Sequence, residues 1–303
     1  LIAADDCRDQ VFLGSIVFLH AYIVVDMGFG DGGKGVLTDF LVRHLNASLV
    51  VRYNGGAQAG HNVITPDGRH HTFAQFGSGT FVPGVKTFLS RFMVLHPTAL
   101  LVEGETLQNK GLPDVFSRLR ISDQALVITP FHQAANHLRE LQRGDGRHGS
   151  CGVGVGETVE DALAFPEAAV LAGDLAHPAR LRQKLLFIRE QKRRQILALY
   201  KNTTLSAGAA EEWLILESDE VVENWLSAIR RFNRLGLVVS DALLKHWLQQ
   251  ADAVVFEGAQ GVLLDAAGGF HPYTTWSNCT TENARLLIDQ LAPGSPTTSI
   301  GVL

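Results

Sequence analysis

Short apolar runs alternate along this chain with segments of helical periodicity. The apolar run at 21–26 ends at a group of glycines and predicts a buried strand. Residues 36–45 carry apolar side chains at helical spacing, and the apolar run at 48–52 predicts a second strand. A strand, a glycine-rich loop, a helix and a strand make a βαβ unit, which requires a parallel sheet. The pattern therefore predicts an α/β fold with a mostly parallel central sheet, helices on both faces and a P-loop-like nucleotide-binding architecture.

The second half of the chain is richer in helical patterns. Helices are predicted over 180–202, 221–234 and 240–250, with a small polar break at 203–210. A further buried strand at 253–256 runs into a glycine-rich loop at 257–261. We expect one α/β domain over 21–303 with a helical insertion at about 180–250, preceded by an N-terminal extension at 1–20 of uncertain structure.

Composition and charge narrow the class of protein. The chain has 303 residues, 46% of them hydrophobic, and a net charge of −5, which excludes a disordered chain and gives no reason to bind nucleic acid or an anionic membrane. The basic stretch at 180–201 is typical of the solvated face of an amphipathic helix. The longest apolar run, 11–25, is too short to span a bilayer. Three distant cysteines form no metal or disulfide pattern, which favours a reducing, cytoplasmic location.

The glycine-rich segment 28–35 follows the first predicted strand and opens the predicted helix. The N–H groups of such a loop, together with a helix N-terminus, form a site for anions, and Lys34 adds a positive charge. The glycines have the G-x-G-x-x-G spacing of the dinucleotide fingerprint. That fingerprint expects an acid about 20 residues later, whereas the next strand ends at Arg52. An NADP-binding oxidoreductase, in which Arg52 would bind the 2′-phosphate, is therefore an alternative that the sequence leaves open.

The same segment also fits a P-loop. Gly28, Gly33 and Lys34 have the P-loop spacing, but Gly35 stands where a Ser or Thr would hold magnesium. Asp31 is a candidate to hold the metal instead. The dinucleotide fingerprint leaves Asp31 and Lys34 unexplained, and the P-loop match is incomplete at Gly35.

Four segments together resemble the adenylosuccinate synthetase family in order and in approximate spacing. They are Gly-Asp-Gly-Gly-Lys-Gly at 30–35, and the segments at 52–61, 256–261 and 272–278. The resemblance runs from about residue 23 to the end of the chain, with a weaker middle. It implies a ligase that forms a C–N bond in purine biosynthesis, joining aspartate to IMP through a 6-phosphoryl intermediate, with GTP as co-substrate and Mg²⁺. It also implies a homodimer.

The resemblance assigns a role to each matching residue. Asp31 would be the base at N1 of the purine and a magnesium ligand, His61 would donate to the leaving β-phosphate oxygen, and Lys34 would complete the catalytic set. The carbonyl of Gly60 would join the metal shell. The nucleotide would lie on Gly30, Asp31, Gly32, Gly33, Lys34, Gly35, Val36, Gly60, His61 and Asn62. The acceptor would lie on Asp31, Lys34, Gln58, Ala59, Gly60, His61, Cys151, Gln260 and Thr275, with Gln260 at the purine edge and Thr275 at the 5′-phosphate.

The chain departs from the family pattern at several of these positions. Gly32 stands in place of Glu, Val36 in place of Lys, Cys151 in place of a phosphate-binding Thr, and Val153 in place of Arg. Phe165 stands where the family has the arginine that a second subunit lends to the acceptor phosphate. Two further alternatives therefore stay open: a paralogue with another purine nucleotide or acceptor, and an inactive nucleotide-binding protein.

The two ends of the sequence suggest a fragment. The chain begins at Leu1 without Met and stops at Leu303 within an apolar run. In the family, the aspartate loop and the residues that read guanine lie beyond the point that matches Leu303. We therefore expect the chain to lack the C-terminal part of the parent protein.

Overall fold

A computed structural model describes residues 19–146, 149–201 and 205–303. The strands are β1 His20–Asp26, β2 Leu49–Arg52, β3 His61–Ile64, β4 His70–Phe73, β5 Lys86–Leu89, β6 Val94–Leu95, β7 Leu119–Ser122, β8 Leu126–Val127, β9 Val238–Val239, β10 Ala253–Gly261 and β11 Thr297–Val302. The α-helices are α1 Lys34–His44, α2 Pro97–Asn109, α3 Pro130–Arg143, α4 Val155–Ala164, α5 Pro178–Leu199, α6 Ala207–Glu217, α7 Asp219–Asn233, α8 Asp241–Gln250 and α9 Glu282–Leu291.

Seven strands form the central sheet in the order β11-β1-β10-β2-β5-β7-β9. Each neighbouring pair is parallel, which confirms the α/β fold and the parallel sheet. Strands of a parallel sheet are covered on both faces and so read as continuous apolar runs. This explains why β1, β2 and the start of β10 were recognisable, since nearly every residue in them is buried.

The carboxyl ends of β1, β10 and β2 meet at one edge of the sheet. Val24 is paired with Glu257, and Glu257 in turn with Arg52 at the end of β2. The glycine-rich loop leaves β1 at this edge and enters α1. A hairpin of β3 and β4 follows β2 at the same edge, so that His61 begins its first strand. Ligands of such sheets bind at this edge.

Two expectations about the second half are wrong. Residues 207–210 are not a break: Ser206 caps α6 by accepting a hydrogen bond from the Ala209 N–H, and the helix packs against α3. The strand predicted over 253–256 continues to Gly261, because Glu257 still pairs with β1 and β2, and Gly261 pairs with Asp26 at the end of β1. The start of the predicted break and the end of the preceding helix, 202–204, lie outside the described residues.

The other helix predictions agree closely with α5, α7 and α8. Most of the expected extension at 1–20, and with it much of the apolar run at 11–25, lies outside the described residues. In the part of the chain that the structure describes, no helix combines the length and the apolar character needed to cross a bilayer.

Candidate functional site

The loop between β1 and α1 has a backbone that only glycine can supply at two points. Gly30 has φ of +110°, and a Cβ there would lie 3.1 Å from the backbone nitrogen of Gly261. A Cβ on Gly35 would lie 2.9 Å from Cβ of His61. The first turn of α1 therefore lies directly against the start of β3. This close approach explains why Gly35 occupies the position of the P-loop Ser or Thr.

Asp26, the last residue of β1, is the residue around which this loop folds. Its Oδ1 accepts hydrogen bonds from the N–H groups of Gly28 at 2.9 Å and Gly30 at 3.1 Å. Its Oδ2 accepts from the Gly32 N–H at 2.8 Å and from Lys34 Nζ at 3.0 Å. Asp26 is fully buried. Burial alone would raise the pKa of this carboxyl, but Lys34 and the loop N–H groups lower it, so Asp26 is ionised at neutral pH.

Lys34 is turned into the loop, away from solvent. Its Nζ donates to Asp26 and, at 2.8 Å, to the carbonyl oxygen of Gly30, and the residue is only 1% exposed. Burial lowers the pKa of Lys34, while the Asp26 carboxylate acts in the opposite sense. Asp31, in contrast, is exposed in the same loop, and Gly33 caps α1 in the left-handed conformation.

His61 is held by groups from β10. Its Nδ1 lies 2.6 Å from Oε1 of Glu257, and its Nε2 lies 3.2 Å from the carbonyl oxygen of Ala259. Both neighbours are hydrogen-bond acceptors, so both ring nitrogens face groups to which they can donate. His61 is buried, and no hydrogen bond joins it to Asp31 within the described residues.

Glu257 is a site residue to which sequence reasoning gave no role. It is fully buried, accepts hydrogen bonds from the Ser78 N–H at 2.9 Å and from the Ser78 hydroxyl, and lies 4.0 Å from Nε of Arg52. Burial alone would raise the pKa of Glu257, but Arg52 and His61 lower it to about 2. The signal available in the sequence was a carboxylate inside an otherwise apolar strand.

The interpretation of Arg52 as a ligand of a 2′-phosphate is wrong. Arg52 is 0% exposed, and its guanidinium donates to the carbonyl oxygens of Ala74 and Phe76, at 3.2 and 2.9 Å. It lies beside Glu257 inside the sheet, where no nucleotide can reach it. This placement removes the observation on which the NADP-binding oxidoreductase depended.

A cavity of about 570 Å³ opens beside the end of β10, where Gln260 lines it. A Cβ on Gly30 of the β1–α1 loop would lie 3.4 Å from Cα of Gln260. Four of the predicted acceptor residues, Gln58, Cys151, Gln260 and Thr275, line the cavity together, although they are far apart in the sequence. The amide oxygen of Gln58 is buried and lacks a hydrogen-bond partner among the described residues.

The side chains from α3 and from the segment at 272–276 complete the cavity wall. Arg139 and Arg143 come from one face of α3, and Tyr273 and Trp276 from the segment that follows β10. Arg139 is paired with Glu157 at 2.7 Å. The wall thus combines guanidinium groups with aromatic rings, and neither pair was singled out from the sequence.

The remaining predicted nucleotide residues lie on the β1–α1 loop and the β3 hairpin. Asp31, Gly32, Gly33, Lys34 and Gly35 are on or just after the loop, Val36 is exposed on α1, and Ala59, Gly60, His61 and Asn62 precede or begin β3. None of them lines the 570 Å³ cavity. Asn62 is already engaged within the hairpin, since its Oδ1 accepts from the Thr72 hydroxyl at 2.6 Å.

Two of the departures from the family pattern, Val153 and Phe165, are packed against apolar neighbours. Val153 packs against a small apolar cluster of Val94, Ile128 and Val155. Phe165 makes an edge-to-face contact with Phe187, with ring centroids 5.4 Å apart, and does not line the cavity. Where the family pattern has arginines, these positions therefore contribute apolar contacts.

Fold and site together define an α/β protein with a glycine-rich loop and a nucleotide-sized cavity at the carboxyl edge of a parallel sheet. The family model of adenylosuccinate synthetase matches residues 23–303. The adenylosuccinate synthetase of Mycobacterium leprae is 32% identical over 268 residues, covering 88% of this chain and 58% of the relative. That of Chlorobium chlorochromatii is 35% identical over 265 residues, covering 87% of this chain and 57% of the relative. The chain belongs to the adenylosuccinate synthetase family, which confirms the resemblance.

Solved structures show the same fold. The fully ligated adenylosuccinate synthetase from Plasmodium falciparum superposes with a TM-score of 0.69 at 21% identity, over 93% of this chain and 61% of that one. The succinoaminodeoxyadenylate synthetase of cyanophage S-2L, bound to dGMP and dATP, superposes with a TM-score of 0.51 at 18% identity, over 94% of this chain and 64% of that one. The chain spans less than two thirds of the length of each of these relatives.

Proposed function

We propose that this chain is the nucleotide-binding and acceptor-activating part of a GTP-dependent ligase that joins L-aspartate to IMP through a 6-phosphoryl intermediate. The observation that carries the proposal is the meeting of Gln58, Cys151, Gln260 and Thr275 in one cavity. Family membership supplies the reaction class.

The proposed chemistry uses two groups at the edge of the sheet. The Asp31 carboxylate removes the proton from N1 of the purine, so that O6 becomes the nucleophile towards the γ-phosphorus of GTP. The O6–phosphorus bond forms as the bond from the γ-phosphorus to the β–γ bridging oxygen breaks, and His61 donates to the oxygen that leaves. To do so, the Nε2–H group of His61 breaks its hydrogen bond to the Ala259 carbonyl and donates to the phosphate oxygen instead. The amine of aspartate then attacks C6 and phosphate departs with O6.

The donor set fits Mg²⁺ carried by a nucleotide. The described residues contain no cluster of three or more side chains that would hold a metal by themselves. Mg²⁺ is commonly held by one or two carboxylates together with substrate phosphates and water. Asp31 provides one exposed carboxylate for such an ion, and the Gly60 carbonyl a further oxygen. When bound, the ion would neutralise charge on the phosphates.

A changed acceptor is the second candidate function. Cys151 and Trp276 line the acceptor cavity of this chain. A thiol is a weak hydrogen-bond donor to phosphate. The thiol of Cys151 therefore favours a paralogue that takes another purine nucleotide. The family supports a cytoplasmic homodimer that uses small-molecule substrates and binds neither nucleic acid nor membrane, and we include this in the proposal.

Thermal unfolding and phosphate release test the proposal. With Mg²⁺, millimolar IMP is expected to raise the melting temperature, since a ligand at 100 times its Kd stabilises by about 2.7 kcal/mol. Asp31→Ala should abolish the IMP shift and nucleotide-dependent phosphate release. Asp252→Ala is the matched control, because Asp252 is an exposed carboxylate just before β10, at the opposite edge of the sheet.

Two results would contradict the proposal. Phosphate release that persists in Asp31→Ala would remove the proposed base. A normal melt with no response to IMP is the second, and a response to GMP or dGMP would then identify the changed acceptor. Nucleotide binding without phosphate release would identify the inactive nucleotide-binding protein.

A further inference from the structure

The loop between β1 and α1 already contains an anion. Three alternate N–H groups, those of Gly28, Gly30 and Gly32, converge on the Asp26 carboxylate at 2.8 to 3.1 Å. Successive main-chain N–H groups that point into one concavity form a nest for anions, such as the phosphates of nucleotides. In this chain, the concavity is filled by a side chain of the preceding strand.

The positive charge of Lys34 is also neutralised within the loop. The lysine of a phosphate-binding loop normally reaches towards the β- and γ-phosphates. Here Lys34 Nζ donates to Asp26 and to the Gly30 carbonyl and is almost inaccessible to solvent. Because the Asp26–Lys34 pair carries no net charge, an approaching phosphate gains nothing from Lys34 while the pair is intact.

The carboxylate and a phosphate cannot share the concavity. A Cβ on Gly32 would lie only 3.0 Å from Oδ2 of Asp26, so the carboxylate fills the space directly behind the loop. Two anions at this distance would also repel each other in a buried setting. Binding of a phosphate to these donors therefore requires that Asp26 leave them.

We propose that Asp26 is an internal counter-anion of the phosphate-binding loop, and that nucleotide phosphates bind to Lys34 and to the N–H groups of Gly28, Gly30 and Gly32 only by displacing it. This inference rests on the proposed nucleotide site. Asp26 is then a determinant of phosphate affinity. Its carboxylate keeps the loop ordered in the absence of nucleotide and lowers the affinity of the loop for anions.

A purely structural role for Asp26 predicts the opposite outcome. If the carboxylate only shapes the loop, its loss would disorder the donors and weaken phosphate binding. If it competes with phosphate, its loss strengthens binding. Asp26→Asn separates the two, because the amide keeps the size and one acceptor oxygen but removes the negative charge opposite Lys34.

The test is a calorimetric titration of the full chain with inorganic tripolyphosphate, with and without Mg²⁺. Tripolyphosphate has no base or sugar, so it reports on the loop alone. Because the competing negative charge is removed from these donors, Asp26→Asn is expected to bind tripolyphosphate about tenfold or more tightly. The gain should vanish in Asp26→Asn/Lys34→Met. Asp39→Asn is the matched control, since Asp39 is a buried acid on α1 that pairs with Arg43 at 2.8 Å, away from the loop.

Weaker or unchanged tripolyphosphate binding by a folded Asp26→Asn would overturn the inference. If that variant does not fold, NMR of the wild-type chain decides. Displacement predicts that tripolyphosphate shifts the Asp26 carboxyl ¹³C resonance and the three glycine N–H resonances together; binding without these shifts would refute it. Failure of the proposed function is seen separately, in the IMP shift and phosphate release, neither of which is measured by the tripolyphosphate titration.

Discussion

Glu257→Gln is expected to destabilise the protein by about 3 kcal/mol at neutral pH. The environment of Glu257 lowers its pKa from 4.5 to about 2, because Arg52 and His61 overcome the opposing effect of burial. One pKa unit corresponds to about 1.4 kcal/mol, so this shift represents about 3 kcal/mol of preference for the ionised carboxylate in the folded state. Removing one partner of a buried ion pair costs about 3–5 kcal/mol, which agrees.

The pH dependence gives the sharper test. When the pKa of a carboxyl is lower in the folded than in the unfolded state, its ionised form stabilises the folded protein. This contribution is fully present at pH values above the unfolded-state pKa and is lost as the pH falls through the folded-state pKa. The wild-type protein should therefore exceed Glu257→Gln in stability above about pH 4.5, and the difference should shrink as the pH approaches about 2. At neutral pH, the difference in melting temperature should be about 5 °C for a chain of this size.

The assay is thermal unfolding of both proteins between pH 7 and pH 3, with Glu211→Gln as control. Glu211 is an exposed carboxylate on α6, and its replacement should change neither the melting temperature nor the pH dependence. The reasoning is refuted if Glu257→Gln melts within about 1 °C of the wild type at pH 7. It is also refuted if a deficit persists unchanged at pH 3, because the charge of Glu257 would then not be its source.

The remaining predictions concern the close packing of the loop and the two described cysteines. Gly35→Ser should destabilise the protein by about 1–3 kcal/mol and weaken nucleotide binding, because the Cβ of the new side chain would lie 2.9 Å from Cβ of His61. Chemical unfolding measures the loss of stability, and a Gly35→Ser variant with wild-type stability and nucleotide binding would contradict the packing argument. Cys151 should react with iodoacetamide at pH 8 well before Cys279, because Cys151 is exposed whereas burial raises the pKa of the Cys279 thiol to about 12. Mass spectrometry of the labelled peptides measures the order, and equal labelling in the folded protein would be inconsistent with this environment.

The strands at the centre of the sheet could be predicted because burial on both faces leaves an unbroken apolar run. The same pattern could not show that Arg52 is buried. In a strand that is buried on both faces, no alternation of polar and apolar residues marks which side chains reach solvent. Sequence reasoning therefore offered Arg52 as a ligand of a 2′-phosphate, although its guanidinium donates hydrogen bonds to the carbonyl oxygens of Ala74 and Phe76. Only the tertiary structure distinguishes the two positions.

Helix α6 was missed for a related reason. Its first turn consists of small residues with no periodic apolar face, so only the N-cap at Ser206 marked it. Asp26 was read as the end of a strand, because its partners are main-chain N–H groups that carry no sequence signal. The convergence of Gln58, Cys151, Gln260 and Thr275 was anticipated through family resemblance, and their roles remain predictions.

The end of β10 shows why the two halves of the site lie side by side. Between the pairs Val24–Glu257 and Asp26–Gly261, β1 advances by two residues and β10 by four, so β10 bulges out of the sheet. The bulged segment contains Ala259, whose carbonyl faces His61, and Gln260, which lines the acceptor cavity. Without the extra residues, consecutive side chains would alternate between the two faces of the sheet, as in a regular strand. The bulge thus places the group that holds His61 next to the group proposed to read the purine, and any change in its length should affect both the histidine and the acceptor cavity.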